Sequence, residues 1–199
     1  MTIDITKTLF LIVDIQNDFC PGGALAVNDG DKIITAINSL SKIIAGKGGR
    51  VAASQDWHPQ DHVSFESTWP PHCVQGTPGA DFHKDLDLKP VSLIIRKGFR
   101  KELDSYSAFF ENDRTTPTGL EGWIHSLGIE TVVLGGIASD YCVFYSAMDS
   151  RKAGFRTIVV SDAVKGVGIP EGSVEAAIKE MEAEGVEFIC SGEIELGLK

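Results

Sequence analysis

The sequence lacks the features that would place it in a membrane, on a nucleic acid or in a disulfide-stapled scaffold. Its longest uninterrupted apolar run, Leu9 to Val13, is far too short to span a bilayer. The first ten residues carry Asp4 and Lys7 and no extended apolar stretch, so no secretory signal is read and a cytoplasmic location is expected. Basic residues are scattered and outnumbered, 18 Lys and Arg against 28 Asp and Glu for a net charge of −10. Nucleic-acid binders cluster Lys and Arg to neutralise phosphates, so this balance argues against such a partner and favours a small ligand. Cysteine is scarce too: Cys20, Cys73, Cys142 and Cys190 lie far apart with no CxxC pair, and a disulfide framework is not expected. No internal repeat, charge block or low-complexity linker divides the chain.

What is present is a regular alternation. Short apolar runs at about 8–14, 50–55, 91–96, 131–136, 156–161 and 186–190 read as strands, and helical patterns fit 31–45, 118–127, 141–153 and 172–184. The continuous Val, Ile and Leu content of the runs suits strands buried on both faces. With 199 residues and 43% hydrophobic content, the expectation is one α/β domain over residues 1–199. It would hold a mostly parallel, six-stranded Rossmann-like sheet with helices on both faces. The stretch from Asp56 to Lys89 has no clear periodicity and many Pro, Gly and His residues. Loops this long in a compact domain are usually functional or disordered, and Trp57, Trp69 and His72 speak for function. Open α/β sheets bind ligands at the carboxyl ends of their strands, where Asp14, Asp56, Lys97 and the turn from Ile137 to Cys142 fall.

Cys142 follows a strand and the Gly135–Gly136 turn and opens a helix, with Ser139 or Asp140 as N-cap. A thiol in a first helical turn feels the positive end of the helix dipole, which lowers its pKa. The same position also suits a small buried apolar residue. Cys190 ends an edge strand, and Cys20 and Cys73 sit in loops. A nucleophilic cysteine needs a group to take its proton and return it to the leaving amine. Asp14 and Lys97 end otherwise apolar strands and could form a Cys–Asp–Lys cluster with it; each could equally be a solvated strand terminus. In the loop, Asp56 and His58 stand two residues apart, on one side of an extended chain, and His72 could add a second imidazole. One carboxylate and two imidazoles leave positions open for water and suit Fe(II), Mn or Zn. His62, Ser64 and Glu66 are extra candidates, while His83 and His125 are read as solvated.

Together, the segments VDIQNDFCPGGALAV, SQDWHPQDHVSF, WPPHCVQGTPGADFH, IIRKG, DSYSAFF and GGIASDYCVFYSAMDSRKAGF resemble the nicotinamidases (pyrazinamidases) of the isochorismatase-like hydrolases. They run in family order from residue 13 to residue 155, and the pattern continues through SDAVKGV. The resemblance implies that Asp14, Lys97 and Cys142 are the catalytic triad. It implies that Asp56, His58 and His72 hold one divalent ion (Zn, Fe or Mn), completed by water or a variable ligand. Phe19, Trp69, Tyr106 and Ile137 would line a narrow pocket for a planar ring. A cis peptide between Ile137 and Ala138 would aim the N–H groups of Ala138 and Cys142 at the substrate oxygen as an oxyanion hole. Ser139 departs mildly from the pattern, standing where relatives usually carry Thr.

The implied activity is hydrolysis of nicotinamide, and of pyrazinamide, to the acid and ammonia through a cysteine thioester, in NAD salvage. The implied partner is this small molecule, with no nucleic acid or membrane, and the family's varied assemblies allow a homo-oligomer. A superfamily amidase acting on a carbamoyl or ureido substrate would share Asp14, Lys97 and Cys142 without needing Asp56, His58 and His72. An isochorismatase would not use the cysteine. A non-catalytic binding member of the fold should have lost at least one of these six residues.

Overall fold

The structure, a computed structural model, describes residues 3–197. Six strands form one sheet: β1 (Thr8–Val13), β2 (Arg50–Asp56), β3 (Leu93–Lys97), β4 (Thr131–Ile137), β5 (Arg156–Lys165) and β6 (Glu187–Ile189). Every strand pair is parallel, and the order is β3-β2-β1-β4-β5-β6. The chain thus winds outward from β1 through β2 to β3, then crosses to β4 and winds outward the other way. Such a reversal of strand order opens a crevice beyond the carboxyl ends of the central strands.

The buried run of β1 shows why the sheet is covered twice. Side chains alternate across a strand, so Phe10 and Ile12 enter one core while Leu9, Leu11 and Val13 enter the other. On the first face lie α1 (Ile34–Gly46), through Ile37, Leu40 and Ile44, and the short α6 (Ser191–Gly197), through Ile194. On the second lie α3 (Leu120–Ser126), α4 (Cys142–Lys152) and α5 (Ser173–Ala183), contributing Leu120, Ile124, Val143, Ala147, Ala177 and Met181. The result is a single α/β domain with helices on both faces. Among the described residues no helix is long and apolar enough to cross a membrane.

The expected elements all form, with local differences. The edge strands are not buried on both faces: Ile94 in β3 is 45% exposed and all of β6 is half-buried, because an edge strand lacks an outer neighbour. The first helix is entered through a 3-10 turn at Gly30–Ile33. β5 runs on to Lys165, its pairing with β4 shifting between Leu134 and Gly136. The long loop holds one helical turn, α2 (Ser64–Ser67), too short to show a period in the sequence; α6 escapes for the same reason.

Candidate functional site

The carboxyl ends of β1, β2, β3 and β4 deliver the expected residues to one crevice. Asp14 follows β1 with φ of +50°, a region rarely used by non-glycine residues. The chain turns off the sheet there, and Ser54 Oγ donates to Asp14 Oδ1 at 2.7 Å. Lys97 closes β3 with no exposed surface. Its Nζ lies 2.9 Å from Asp14 Oδ2 and 2.5 Å from Asp56 Oδ1, donates to the Ser105 carbonyl at 3.1 Å, and reaches Cys142 Sγ at 3.5 Å. One ligand atom each from Asp14, Asp56 and Cys142 lies within 4.8 Å of the others.

Cys142 is the first residue of α4, but neither Ser139 nor Asp140 caps that helix. Tyr141 occupies the cap position without a side-chain bond. The Asp140 carboxylate is committed elsewhere: it accepts from the N–H groups of Val167 and Gly168 and from Ser173 Oγ. This ties down the loop that carries Val167 to the pocket wall. The Ile137–Ala138 peptide is cis. The N–H groups of Tyr141 and Val143 both close onto the Ala138 carbonyl at 3.0 Å, and the Cys142 N–H between them is not part of that pairing.

Beside this cluster, Asp56 meets two imidazoles. His58 Nε2 is 3.5 Å and His72 Nε2 is 4.0 Å from Asp56 Oδ2, all three residues being buried. Each ring is oriented from behind, His58 Nδ1 by the Gly98 carbonyl and His72 Nδ1 by the Pro70 carbonyl, both at 2.8 Å. A carbonyl oxygen only accepts, so both Nδ1 atoms carry protons and both Nε2 atoms face Asp56, where each offers a lone pair once its ring is neutral. Two such nitrogens and a carboxylate oxygen within 4.8 Å of one another, with their outer nitrogens held, fit a divalent cation.

Of the extra candidates, His62 and Ser64 are buried beside His58 and bond to each other at 2.7 Å. Asp104, which the sequence reading passed over, has an oxygen within 4.8 Å of the nitrogens of His58 and His62. Glu66 is exposed and outside the pocket lining, a correction to its candidacy. At 100° per residue a helical turn that faces Ser64 inward turns Glu66 outward.

One pocket is lined by Cys142, by Asp56, His58 and His72, and by Phe19, Trp69, Tyr106 and Ile137. Leu25, Val27, Tyr141 and Val167 add wall that the sequence reading did not assign, and Ala138, expected for its N–H, lines the pocket as well. Trp69 Nε1 donates to Tyr106 Oη at 3.1 Å, and Tyr141 packs edge-on against Trp69. Asp14 and Lys97 stand behind the pocket, fully buried.

The model of the isochorismatase domain matches residues 8–193. The chain belongs to the isochorismatase family. It is 44% identical over 203 residues to the nicotinamidase of Acinetobacter baylyi, covering 92% of both chains. Among solved structures it resembles PnC1 of L. infantum in complex with nicotinate, with 38% identity, a TM-score of 0.91, and coverage of 100% of this chain and 98% of that one. It also resembles the pyrazinamidase of Pyrococcus horikoshii in complex with zinc, with 37% identity, a TM-score of 0.83, and coverage of 92% and 99%.

Electrostatics correct one expectation about this family member. Burial pushes the Cys142 thiol well up, and although Lys97 opposes this, Asp14 and Asp56 reinforce it. These surroundings press the thiol upward, the opposite direction from that expected of the helix start. Burial likewise raises Asp14, against the pull of Lys97. Burial disfavours the Lys97 charge, yet Asp14 and Asp56 more than offset it and keep it an ammonium. At the histidines the same contest splits. Burial is outweighed by Asp56 at His58, whose pKa is raised, but prevails at His72, whose pKa is lowered. The other cysteines differ: burial raises Cys20 to about 11 and lifts Cys73 further, and Cys190 is exposed.

Proposed function

We propose that this chain hydrolyses nicotinamide, and pyrazinamide, to the corresponding acid and ammonia, with Cys142 as nucleophile. The observation that carries the reading is the single pocket in which Cys142, the donors Asp56, His58 and His72, and the aromatic walls of Phe19, Trp69 and Tyr106 all meet. A flat ring bearing both a nitrogen and a carboxamide matches those three requirements at once. The nicotinamidase and zinc-bound pyrazinamidase relatives support the same choice.

In the proposed reaction Asp14, whose raised pKa makes it a fitting base, takes the Cys142 proton as sulfur attacks the carboxamide carbon. Lys97 holds the Asp14 carboxylate in place and offsets the charge on sulfur. The carbonyl oxygen, now negative, lies against the N–H groups of Ala138 and Cys142. Asp14 returns the proton to nitrogen, the C–N bond breaks and ammonia leaves a thioester. Water then attacks the thioester carbon and gives up a proton through Asp14 to the departing sulfur, releasing the acid and restoring the thiol. A divalent ion held by Asp56, His58 and His72 would supply a Lewis-acidic position for the ring nitrogen, fixing the carboxamide near Cys142. His62 and Asp104, grouped with His58, are near enough to assist directly or through water, and Ser64 could act by holding His62. In a cell this reaction belongs to NAD salvage, and we place it in the cytoplasm.

The test is ammonia release from nicotinamide, pyrazinamide, benzamide and a ureido compound, before and after metal removal. The first two should be consumed and benzamide, which lacks the ring nitrogen, should be a poor substrate. Equal rates on benzamide and nicotinamide, unchanged by chelation, would refute the reading, as would appreciable turnover by Cys142→Ala.

A further inference from the structure

Asp56 is held by a side chain that the mechanism above does not use. The β1–β2 ladder ends at the pair Ile12 and Ala53, because β1 leaves the sheet at Asp14. β2 continues beyond that point, pairing with β3 as far as Asp56 and Lys97. In a parallel sheet the N–H and C=O of one residue face the same side, and those of the next residue face the other. On the β3 side the Trp57 N–H finds the Lys97 carbonyl at 3.0 Å. On the β1 side the Asp56 peptide groups face a position that the β1 backbone has vacated.

Gln16 fills that position. It lies two residues past Asp14 and has no exposed surface. Its Oε1 accepts from the Asp56 N–H at 2.8 Å, and its Nε2 donates to the Asp56 carbonyl at 2.8 Å and to the Ala80 carbonyl at 2.9 Å. The carboxamide stands in for the missing β1 residue, giving Asp56 both bonds a strand neighbour would give. β1 is thereby free to aim Asp14 into the crevice while Asp56 stays registered on the sheet.

We infer that Gln16 is a positioning residue that fixes Asp56 for both of its tasks, facing the imidazoles with one oxygen and Lys97 with the other. The inference rests on the proposed donor set. Nearby Gln55 supplies the control. It is also buried and donates to the same Ala80 carbonyl at 2.9 Å, but its other bond is to Arg96 rather than to Asp56.

The experiment compares the wild-type protein with Gln16→Met and Gln55→Met, each stripped of metal and titrated with Zn2+ against a competing chelator. Melting temperature, and kcat and KM for nicotinamide at saturating metal, are measured in parallel. Gln16→Met should bind Zn2+ at least about tenfold more weakly, as expected when a group orienting a ligand is lost. Its kcat should stay low even at saturating metal, because Lys97 loses its alignment with Asp56. Gln55→Met should keep its Zn2+ affinity and kcat within about twofold while losing a similar amount of thermal stability. Should Gln16→Met fail to fold, Gln16→Glu keeps the length and the acceptor for the Asp56 N–H, and should show the same loss. Wild-type Zn2+ affinity in a folded Gln16 variant, or an equal loss in Gln55→Met, would overturn the inference. A wild-type protein that takes up no Zn2+ would overturn the donor set instead; the clamp would then stand or fall on whether kcat drops in the Gln16 variant alone.

Discussion

Lys97 Nζ lies 2.5 Å from Asp56 Oδ1 while Asp56 Oδ2 faces the two imidazoles, so one carboxylate belongs to both clusters of the pocket. The negative charge of Asp56 is also among the causes that raise the Cys142 thiol. In metal-free protein, Asp56→Asn should therefore lower the pH at which Cys142 becomes reactive, whereas His72→Ala should leave it nearly unchanged. The rate of iodoacetamide labelling of Cys142 against pH measures this directly. Identical profiles for Asp56→Asn and wild type would show that the two clusters are electrically independent.

Asp14 and Lys97 should behave as a unit in the reaction and differently in stability. Asp14→Asn removes the base and should slow turnover by about two to four orders of magnitude. Lys97→Met should be similarly slow, and the double variant little worse than either, since groups acting together are not additive. Lys97→Met alone leaves two buried carboxylates facing each other and should cost about 3–5 kcal/mol of stability. Protonation relieves that repulsion, so its deficit should shrink as pH falls. Denaturant titration at several pH values, beside the kinetics, checks both halves.

Gly98 should tolerate no side chain. Its φ of +63° already disfavours one, and an added Cβ would collide with the His58 ring. Because the Gly98 carbonyl also holds His58 Nδ1, Gly98→Ala should weaken Zn2+ binding by about 10- to 100-fold. Competition with a chelator gives the number, and circular dichroism confirms that the variant is folded. Unchanged affinity would mean that the His58 ring is not held from behind.

Metal uptake should depend on pH with a definite sign. Asp56 raises the pKa of His58 against the effect of burial, so the proton that the ion must displace there is held more tightly than on a free imidazole. Below that raised pKa, Zn2+ affinity should fall by about tenfold per pH unit for each proton displaced. Above it, affinity should level off. Isothermal titration in buffers of different ionisation enthalpy would count the protons released; none released at pH 6 would contradict the proposed donors.

Much of this site was legible from chain position alone. Asp14, Asp56 and Lys97 each follow an apolar run, and a charged residue at the carboxyl end of a buried parallel strand falls at the crevice whatever the details of the loops. The strand–helix alternation determined the fold class, and Cys142 was marked by opening a helix after β4. Three matters were decided by packing. The upward push on the Cys142 thiol comes from burial, reinforced by two carboxylates, and the helix start that the sequence displays gives no sign of it. Glu66 and Ser64 are equally good ligand candidates in sequence, and the orientation of a single helical turn separates them. Gln16 gave no local signal, because the backbone it grips is 40 residues away and becomes available only when β1 turns off the sheet at Asp14. A sequence displays periodicity and the ends of elements, which are properties of short windows. Which lone pairs are left facing one another in a dry crevice depends on strands that meet only in the folded chain.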